Sequence, residues 1–552
     1  MTLLSDVVVI GAGHNGLACA CYLARAGLGV TVLEAAGTPG GCIHTVDLPD
    51  GRGRLELGAY EHGGIRASGV AADLELERRF GLRFHLRDEV TLAPCDDGAA
   101  LAFDASLERT LMHLGPVVGA ADADAYRRFA GWAAAAVALL RHTEAGPPPS
   151  LRELAALAEA ALGAEAGRLL QALLGSASNL VRSVVADRRL QGVLAHWAAH
   201  SQQSPADPGT GAGALLLAGG HGSPAARPAG GSRATVDALV RCLEAAGGEL
   251  RCGQPVTRVE LGGGRAVAVH AGGERLRAAR AVVSAVDARR LLLDLVDQAE
   301  VPAGLLAEAR RIHVGRANVS ELKVDAVLAS MPELPGPPGF QRSFLLSANT
   351  AADVEAAFAR IRLGELPARP PLMLAFPSAL EPGWAPEGRA ALWLSTFVPW
   401  RPAAGPWDAA ALEHAADHAW RVAERALGAE HAPQVIERGD QHAGCLVGGA
   451  RPYQVGHLAA QGARGMAKQV DARCLGHLRA LELDPQRTGP EEPFGGDERH
   501  VGRDHRPHGI AQPAALHRWH HSGWHAARQR CADGGLHVLD ERAARGRGRG
   551  RR

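Results

Sequence analysis

The stretch that decides the fold of this chain is Asp6-Val-Val-Val-Ile-Gly-Ala-Gly-His-Asn-Gly16, a short apolar run that ends in three spaced glycines. Residues 6–10 are rich in β-branched side chains and too few for a helix, so they predict a buried parallel strand. Residues 17–26 predict a helix rich in small residues, and residues 29–33 predict a second apolar strand. Together these segments predict a complete βαβ unit.

The glycine-rich turn of this unit predicts a dinucleotide-binding site. Gly11 permits the tight turn, Gly13 lets a pyrophosphate approach the backbone, and Gly16 lets the helix pack closely on the strand. The start of the helix, at His14 and Asn15, offers N–H groups and a partial positive charge to the phosphates. We therefore expect all five residues to bind the cofactor.

Glu34 ends the second strand, 23 residues after Gly11. A carboxylate at this position can accept hydrogen bonds from both ribose hydroxyls, and it would repel a 2′-phosphate, so NADP is disfavoured. The alternative is an ordinary tight turn, because glycine is common in this chain, with 68 residues. The order strand, turn, helix, strand and acid favours the binding site.

Two further segments, Thr38-Pro-Gly-Gly-Cys42 and Leu55-Glu-Leu-Gly-Ala-Tyr-Glu-His62, resemble the N-terminal part of the phytoene dehydrogenase-related flavoproteins. These proteins form the carotenoid and retinoid oxidoreductase family, which shares its fold with the flavin amine oxidases. The resemblance implies FAD as the cofactor, with Gly40 and Gly41 lying against it. Paired glycines also permit close approach of the backbone on their own account. Further along, the resemblance implies that the backbone of Val256 contacts the adenine.

The resemblance also implies an α/β fold, with a Rossmann-like FAD-binding domain of the glutathione-reductase and amine-oxidase type, a helical insertion and an antiparallel-sheet substrate domain. We expect the FAD-binding domain to comprise residues 1–104 and 215–310, the insertion residues 105–214, and the sheet and helix of the substrate domain residues 311–436. Within these ranges the pattern predicts helices over 121–141, 151–174 and 187–200, a long loop over 202–231, and strands over 256–261 and 265–270.

The last segment, residues 437–552, lacks the sequence pattern of a protein core. It holds 11 of the 25 histidines and ends in Arg–Gly repeats, with neither helical nor strand periodicity. Disorder and RNA binding are alternative interpretations of this segment, and no metal site is expected because no partnering carboxylates accompany the histidines. We favour a reading-frame error. GC-rich codons for residues 516–542, read without their first nucleotide, can give CTGGTTPAGMPPGNGARTAAYTSWMNA, which resembles the C-terminal flavin-binding segment of the family.

The composition and charge of the chain limit the classes of binding partner that we expect. The 59 basic residues balance the 59 acidic ones, so the broad basic surface of a nucleic-acid-binding protein is missing, and we expect no nucleic acid partner. Nine scattered cysteines without a CxxC pair argue against a zinc site or a disulfide framework. With no charged leader and no apolar run of ~18 residues, we expect a cytoplasmic protein, with peripheral membrane contact left open. The oligomeric state is also left open.

The main functional hypothesis is an FAD-dependent dehydrogenase or desaturase that takes hydride from an apolar, isoprenoid or carotenoid-like substrate. The flavin does the difficult chemistry, so the sequence need not show an acid or base, and no residue is assigned as catalytic. Glu61 and His62 could approach the flavin edge, although a structural role is commoner for such a histidine. Three alternatives remain: a flavin amine oxidase-like enzyme, for which only four tyrosines offer an aromatic cage, an NAD-dependent dehydrogenase, and a non-catalytic binding or regulatory relative.

Overall fold

The computed structural model describes residues 3–48, 51, 53–143, 148–312, 317–347 and 349–427, with the backbone of 435–438. The predicted tail, apart from its first two residues, lies outside the described residues, and so does its histidine cluster. The strands are β1 (Leu3–Ile10), β2 (Val30–Leu33), β3 (Thr45–Asp47), β4 (Arg54–Glu56), β5 (Phe84–Arg87), β6 (Glu89–Pro94), β7 (Ala100–Asp104), β8 (Ala225–Pro228), β9 (Glu249–Arg251), β10 (Val256–Gly262), β11 (Arg265–Ala271), β12 (Glu274–Ser284), β13 (Val319–Leu328), β14 (Phe344–Leu346), β15 (Leu372–Ala375), β16 (Ala390–Pro399) and β17 (Val435–Arg438).

The helices lie between these strands, singly or in runs, and the longest run is α5 to α10. They are α1 (His14–Arg25), α2 (Gly63–Ala67), α3 (Val70–Asp73), α4 (Leu76–Arg79), α5 (Leu107–Thr143), α6 (Leu151–Leu162), α7 (Ala166–Leu174), α8 (Ala177–Val184), α9 (Arg188–Ala199), α10 (Leu215–Ala218), α11 (Arg233–Ala245), α12 (Ala288–Arg290), α13 (Ala303–Arg311), α14 (Ala351–Arg362) and α15 (Ala409–Ala426).

The first sheet has six strands in the order β10-β11-β12-β1-β2-β9, and β1 pairs in parallel with both β12 and β2. Successive residues of β1 belong to different cores. Val7 and Val9 pack with α1 and α11 on one face, whereas Val8 and Ile10 pack on the other. A strand covered on both faces needs a continuous apolar run, which explains why residues 7–10 carry no polar side chain. The predicted βαβ unit is confirmed.

The second sheet has seven strands in the order β17-β13-β16-β15-β14-β6-β7. All its pairs are antiparallel except β14 with β6, in agreement with the predicted antiparallel sheet. On one face, Leu322, Val324 and Ala326 of β13 pack in a core that includes residues of α15. Strands β6 and β7 also lie in this sheet, although the predicted boundary at residue 104 groups them with the first domain. The domain boundaries themselves stay predictions.

A layer of helices, α5 to α10, covers the other face of the second sheet and shares a core with it. The predicted helices over 121–141 and 187–200 are confirmed as parts of α5 and as α9. Two predictions were wrong. The helix expected over 151–174 is divided at Gly163, where φ is +54°, and the loop expected over 202–231 contains α10 and β8. Strand β8 forms because it pairs with β5, a partner far away in the sequence.

Candidate functional site

The glycine turn after β1 is held by backbone contacts. The Gly11 N–H donates to Leu33 O at 2.8 Å, and Gly11 has a φ of +96°, which favours glycine. A Cβ built on Gly16 would lie 2.1 Å from Gly11 O, so only glycine lets α1 start this close to the strand. These two glycines are therefore explained by the folded chain itself.

Gly13 is different, because none of the residues that the structure describes requires a glycine there. Its φ of −65° and ψ of 164° are open to any residue, and a Cβ built there would meet no heavy atom of the described residues within 4 Å. The space beside the turn is thus open. His14 and Asn15 are the first two residues of α1, where the first N–H groups of a helix point at such a space. A phosphate group fits this arrangement, because it needs both room and N–H donors.

The Glu34 carboxylate lies against the same turn. Its Oε2 accepts a hydrogen bond from the Ala12 N–H at 2.8 Å, and its Oε1 accepts one from the Ala36 N–H at 2.9 Å. The side chain therefore points into the crevice rather than away from it. The Gln254 N–H donates to Glu34 O at 2.8 Å, which ties β2 to the segment leading into β10. Val256, the first residue of β10, is buried two residues further on.

The double glycine packs directly on the turn. The Gly40 N–H donates to Ala12 O at 3.0 Å, and a Cβ on Gly41 would lie 3.3 Å from the Gly13 Cα. Both glycines have left-handed backbones, with φ of +135° and +65°. The structure therefore brings the glycine turn, the start of α1, Glu34 and the double glycine into one crevice.

His62 lies beside this crevice and is buried. Its Nδ1 is 2.7 Å from Thr235 Oγ1 of α11, and its backbone N–H donates to Ala226 O at 2.9 Å. Burial, with smaller contributions from His14 and Arg227, lowers the pKa of His62 to about 3. The imidazole is therefore neutral near pH 7, as expected of a structural histidine.

A buried ion pair that the sequence does not predict joins the segments around the crevice. Arg227 of β8 and Glu56 of β4 have fully buried side chains, with Nη2 and Oε2 3.1 Å apart. Glu56 also accepts hydrogen bonds from the Ser232 N–H at 3.0 Å and the Thr45 hydroxyl at 3.0 Å. Burial is the largest effect on the pKa of Glu56, and it raises that pKa. No spacing in the sequence indicates this pair, because its members are 171 residues apart.

Arg227 also contacts two aromatic rings, one of which lines a groove. Its guanidinium carbon lies 4.0 Å from the centre of the Tyr60 ring and 4.5 Å from that of Trp384. Trp384 lines a groove of about 720 Å³, together with residues that include Arg83, His85, Gly230 and Glu381. Arg227 of the buried ion pair therefore contacts a side chain that lines the groove.

The described part of the chain offers neither a metal-binding cluster nor a membrane-spanning helix. No group of three His, Cys, Asp or Glu residues there could hold a metal ion. Of the helices described above, none combines the length and the apolar character needed to span a membrane.

Residues 16–464 match the family described as flavin containing amine oxidoreductase. The match covers most of the chain, so the chain belongs to this family. It is thereby an FAD-dependent oxidoreductase by family, and the predicted cofactor and α/β fold class are confirmed.

Individual relatives and solved structures are similar to this chain over much of its length. The chain is 33% identical over 282 residues to a hydroxyneurosporene desaturase of Cereibacter sphaeroides, an alignment that spans 48% of this chain and 53% of that relative. Among solved structures, an oxidoreductase from Methanosarcina mazei has a TM-score of 0.52 at 15% identity, covering 84% of this chain and all of that one. A putrescine oxidase with putrescine bound has a TM-score of 0.51 at 18% identity, covering 80% and 86%. At such identities these structures show the shared fold alone.

Proposed function

We propose that this chain is a dehydrogenase or desaturase that takes hydride from an apolar, isoprenoid or carotenoid-like substrate. The proposal that the chain binds FAD rests on the open space beside Gly13, which is bordered by the start of α1 and by the Glu34 carboxylate. The alignment with the hydroxyneurosporene desaturase supports the substrate part. When bound, FAD supplies the redox chemistry by accepting the hydride.

Each crevice residue has a proposed role toward FAD. Gly11 and Gly16 shape the turn, Gly13 admits the pyrophosphate, and His14 and Asn15 direct the N–H groups of the helix start toward it. Glu34 would exchange a backbone partner for the ribose hydroxyls, Gly40 and Gly41 would lie against the cofactor, and the backbone of Val256 would contact the adenine.

The side chains near the proposed flavin position would orient substrate and exclude water. FAD would accept the hydride, and the proton lost from the neighbouring carbon would need a separate acceptor, a role to which no residue of this chain is assigned. The neutral, buried His62 fits this reading, because it holds the loop at residues 60–62 against α11 rather than titrating near pH 7.

The roles of Gly13 and Gly16 give a sharp test. In Gly13→Ala the new methyl group meets no atom of the described residues, so the unfolding free energy in urea without FAD should change by less than about 1 kcal/mol, whereas FAD affinity should fall about tenfold or more. In Gly16→Ala the methyl group collides with Gly11 O, so the chain should lose about 1–3 kcal/mol even without FAD. Calorimetric FAD titration measures the first effect. A Gly13→Ala chain that binds FAD like the unaltered chain would refute the proposed cradle.

We also propose that the protein is cytoplasmic and contacts membranes peripherally, because an apolar substrate partitions into bilayers. Leu151 and Leu174, on α6 and α7, expose 70% and 65% of their surface and offer apolar side chains for such contact. Flotation with liposomes tests this, and a chain that stays entirely in the unbound fraction would count against it.

A further inference from the structure

The groove beside Trp384 is lined by none of the residues that we assign to FAD. Three segments that are distant in the sequence form it, residues 83–85, 229–230 and 380–384, together with Arg54. Its volume of about 720 Å³ lies within the range of ~300–1,000 Å³ that is typical of small-molecule sites. The groove is therefore large enough for a ligand of its own.

Backbone contacts hold the segments of the groove together. The Ala229 N–H donates to Arg83 O at 2.9 Å, and the Gly230 N–H donates to both carboxylate oxygens of Glu381, at 3.1 and 3.0 Å. The His85 Nε2 lies 3.2 Å from Glu381 Oε1. Among the residues that line the groove only Glu381 is acidic, and its carboxylate already has these two partners within the folded chain.

Two arginines of the groove are available to a ligand. The Arg83 side chain forms no hydrogen bond or ion pair with any residue that the structure describes. Arg54 is paired with Asp47, with Nε and Oδ1 2.6 Å apart, but these side chains are 41 and 76% exposed. Because an exposed ion pair contributes little to stability, a ligand can compete with Asp47 at small cost. An anion could therefore bind Arg83 freely and Arg54 by exchange.

Trp384 adds a further hydrogen-bond donor. Its side chain is 1% exposed, and its Nε1–H has no hydrogen-bond partner among the described residues. Buried N–H groups in folded proteins normally have a partner, and an oxygen atom of a ligand in the groove would provide one. The Arg227 guanidinium, 4.5 Å from the centre of the ring, holds the indole in place.

We propose that the groove formed by Arg54, Arg83 and Trp384 binds a phosphate or diphosphate group, carried by a small molecule or by a lipid. A guanidinium pairs with phosphate oxygens through parallel N–H donors, so two arginines suit a group with several charged oxygens. The contacts of Glu381 with Gly230 and His85 reduce its repulsion of such a group. This site is separate from the glycine turn, which would bind the pyrophosphate of FAD.

Calorimetry with sodium diphosphate tests the proposal on the full-length chain, at low ionic strength and with excess FAD to occupy the crevice. Arg83→Met should weaken diphosphate binding at least about tenfold, because it removes the cation that has no other partner. Glu381→Gln should tighten it about threefold or more, because it removes a negative charge and keeps an oxygen for the Gly230 N–H. Arg152→Met, at an exposed arginine of α6 outside the groove, is the matched control and should change the affinity less than about twofold.

Flotation distinguishes a lipid from a free phosphate compound. The vesicles contain phosphatidylcholine alone or mixed with phosphatidic acid. If a lipid headgroup occupies the groove, Arg83→Met should reduce flotation with the phosphatidic acid vesicles only. If a free compound occupies it, Arg83→Met should weaken diphosphate binding and leave flotation unchanged.

Both source results support the phosphate site. The proposal is overturned if neither diphosphate affinity nor flotation with phosphatidic acid depends on Arg83. Circular dichroism checks that the variants fold, and Arg83 is exposed, so its replacement should not disturb the core. The proposed binding of FAD is tested separately by Gly13→Ala, at a residue that does not line the groove.

Discussion

At the residue scale, the burial of His62 beside the crevice should make the stability of the folded chain sensitive to acid. Its pKa is about 3 in the folded chain, against ~6.5 in an unfolded one. The unfolded state therefore binds more protons below pH 6.5, and stability is lost as the pH falls toward 3. Between pH 7.5 and pH 5, His62 alone should cost about 2 kcal/mol.

The measurement is urea unfolding at these two pH values. The free energy of unfolding of the unaltered chain should fall on acidification, and the fall should be about 2 kcal/mol smaller in His62→Gln. His200 and His196 also have pKa values lowered by burial and would add to the fall in both proteins. They do not affect the difference between them. Parallel pH profiles for the two proteins would show that His62 is not buried in its neutral form.

The residues that could be predicted at this scale are those fixed by local geometry. Gly11, Gly16 and Glu34 lie where the spacing of strand, turn and helix places them, because each acts within one βαβ unit. Arg227 could not be found in this way. Its partner is set by long-range packing, and a lone basic residue in a sequence normally indicates a solvated surface.

At the element scale, the Glu56–Arg227 pair joins β4, β8 and the start of α11. Glu56→Gln would leave a fully buried guanidinium without its carboxylate and should destabilise the fold by about 3–5 kcal/mol in urea unfolding. Adding Arg227→Met should recover part of that loss, because the double variant buries no unpaired charge. The exposed pair Arg54–Asp47 provides the control, and Asp47→Asn should leave stability nearly unchanged. Equal effects of Glu56→Gln and Asp47→Asn would contradict a structural role for the buried pair.

The predicted helices and strands agree with the structure where a local sequence pattern specifies them. Strands β1 and β2 and helix α1 lie where the predicted βαβ unit places them. The two failures have different physical origins. Strand β8 exists through its pairing with β5, and the division between α6 and α7 depends on the left-handed backbone of Gly163, which a small-residue-rich pattern does not reveal.

At the scale of the whole molecule, the family match ends at residue 464, and residues 465–552 lie outside both the match and the described part of the chain. The reading-frame hypothesis thus stays a prediction. If the printed tail replaces a segment that should border the flavin, this polypeptide should bind FAD more weakly than a chain with the alternative reading. A cofactor present at about 100 times its dissociation constant adds ~2.7 kcal/mol to stability, so the same change should weaken the fold when FAD is present.

The comparison needs two proteins and the gene itself. Nucleotide sequencing shows whether the codons for residues 516–542 permit the alternative reading. If they do, the printed chain and the chain with the alternative tail are expressed in parallel and desalted. The alternative chain should keep about one flavin per molecule and gain roughly 2.7 kcal/mol in urea when FAD is at about 100 times its dissociation constant, while the printed chain should lose its yellow colour. At the same FAD concentration, Gly13→Ala in the alternative chain should reduce the gain to about 1.4 kcal/mol or less, since both regions would act through the same cofactor. A printed chain that keeps its flavin in full through desalting would mean that its own tail, or the crevice alone, suffices to hold FAD.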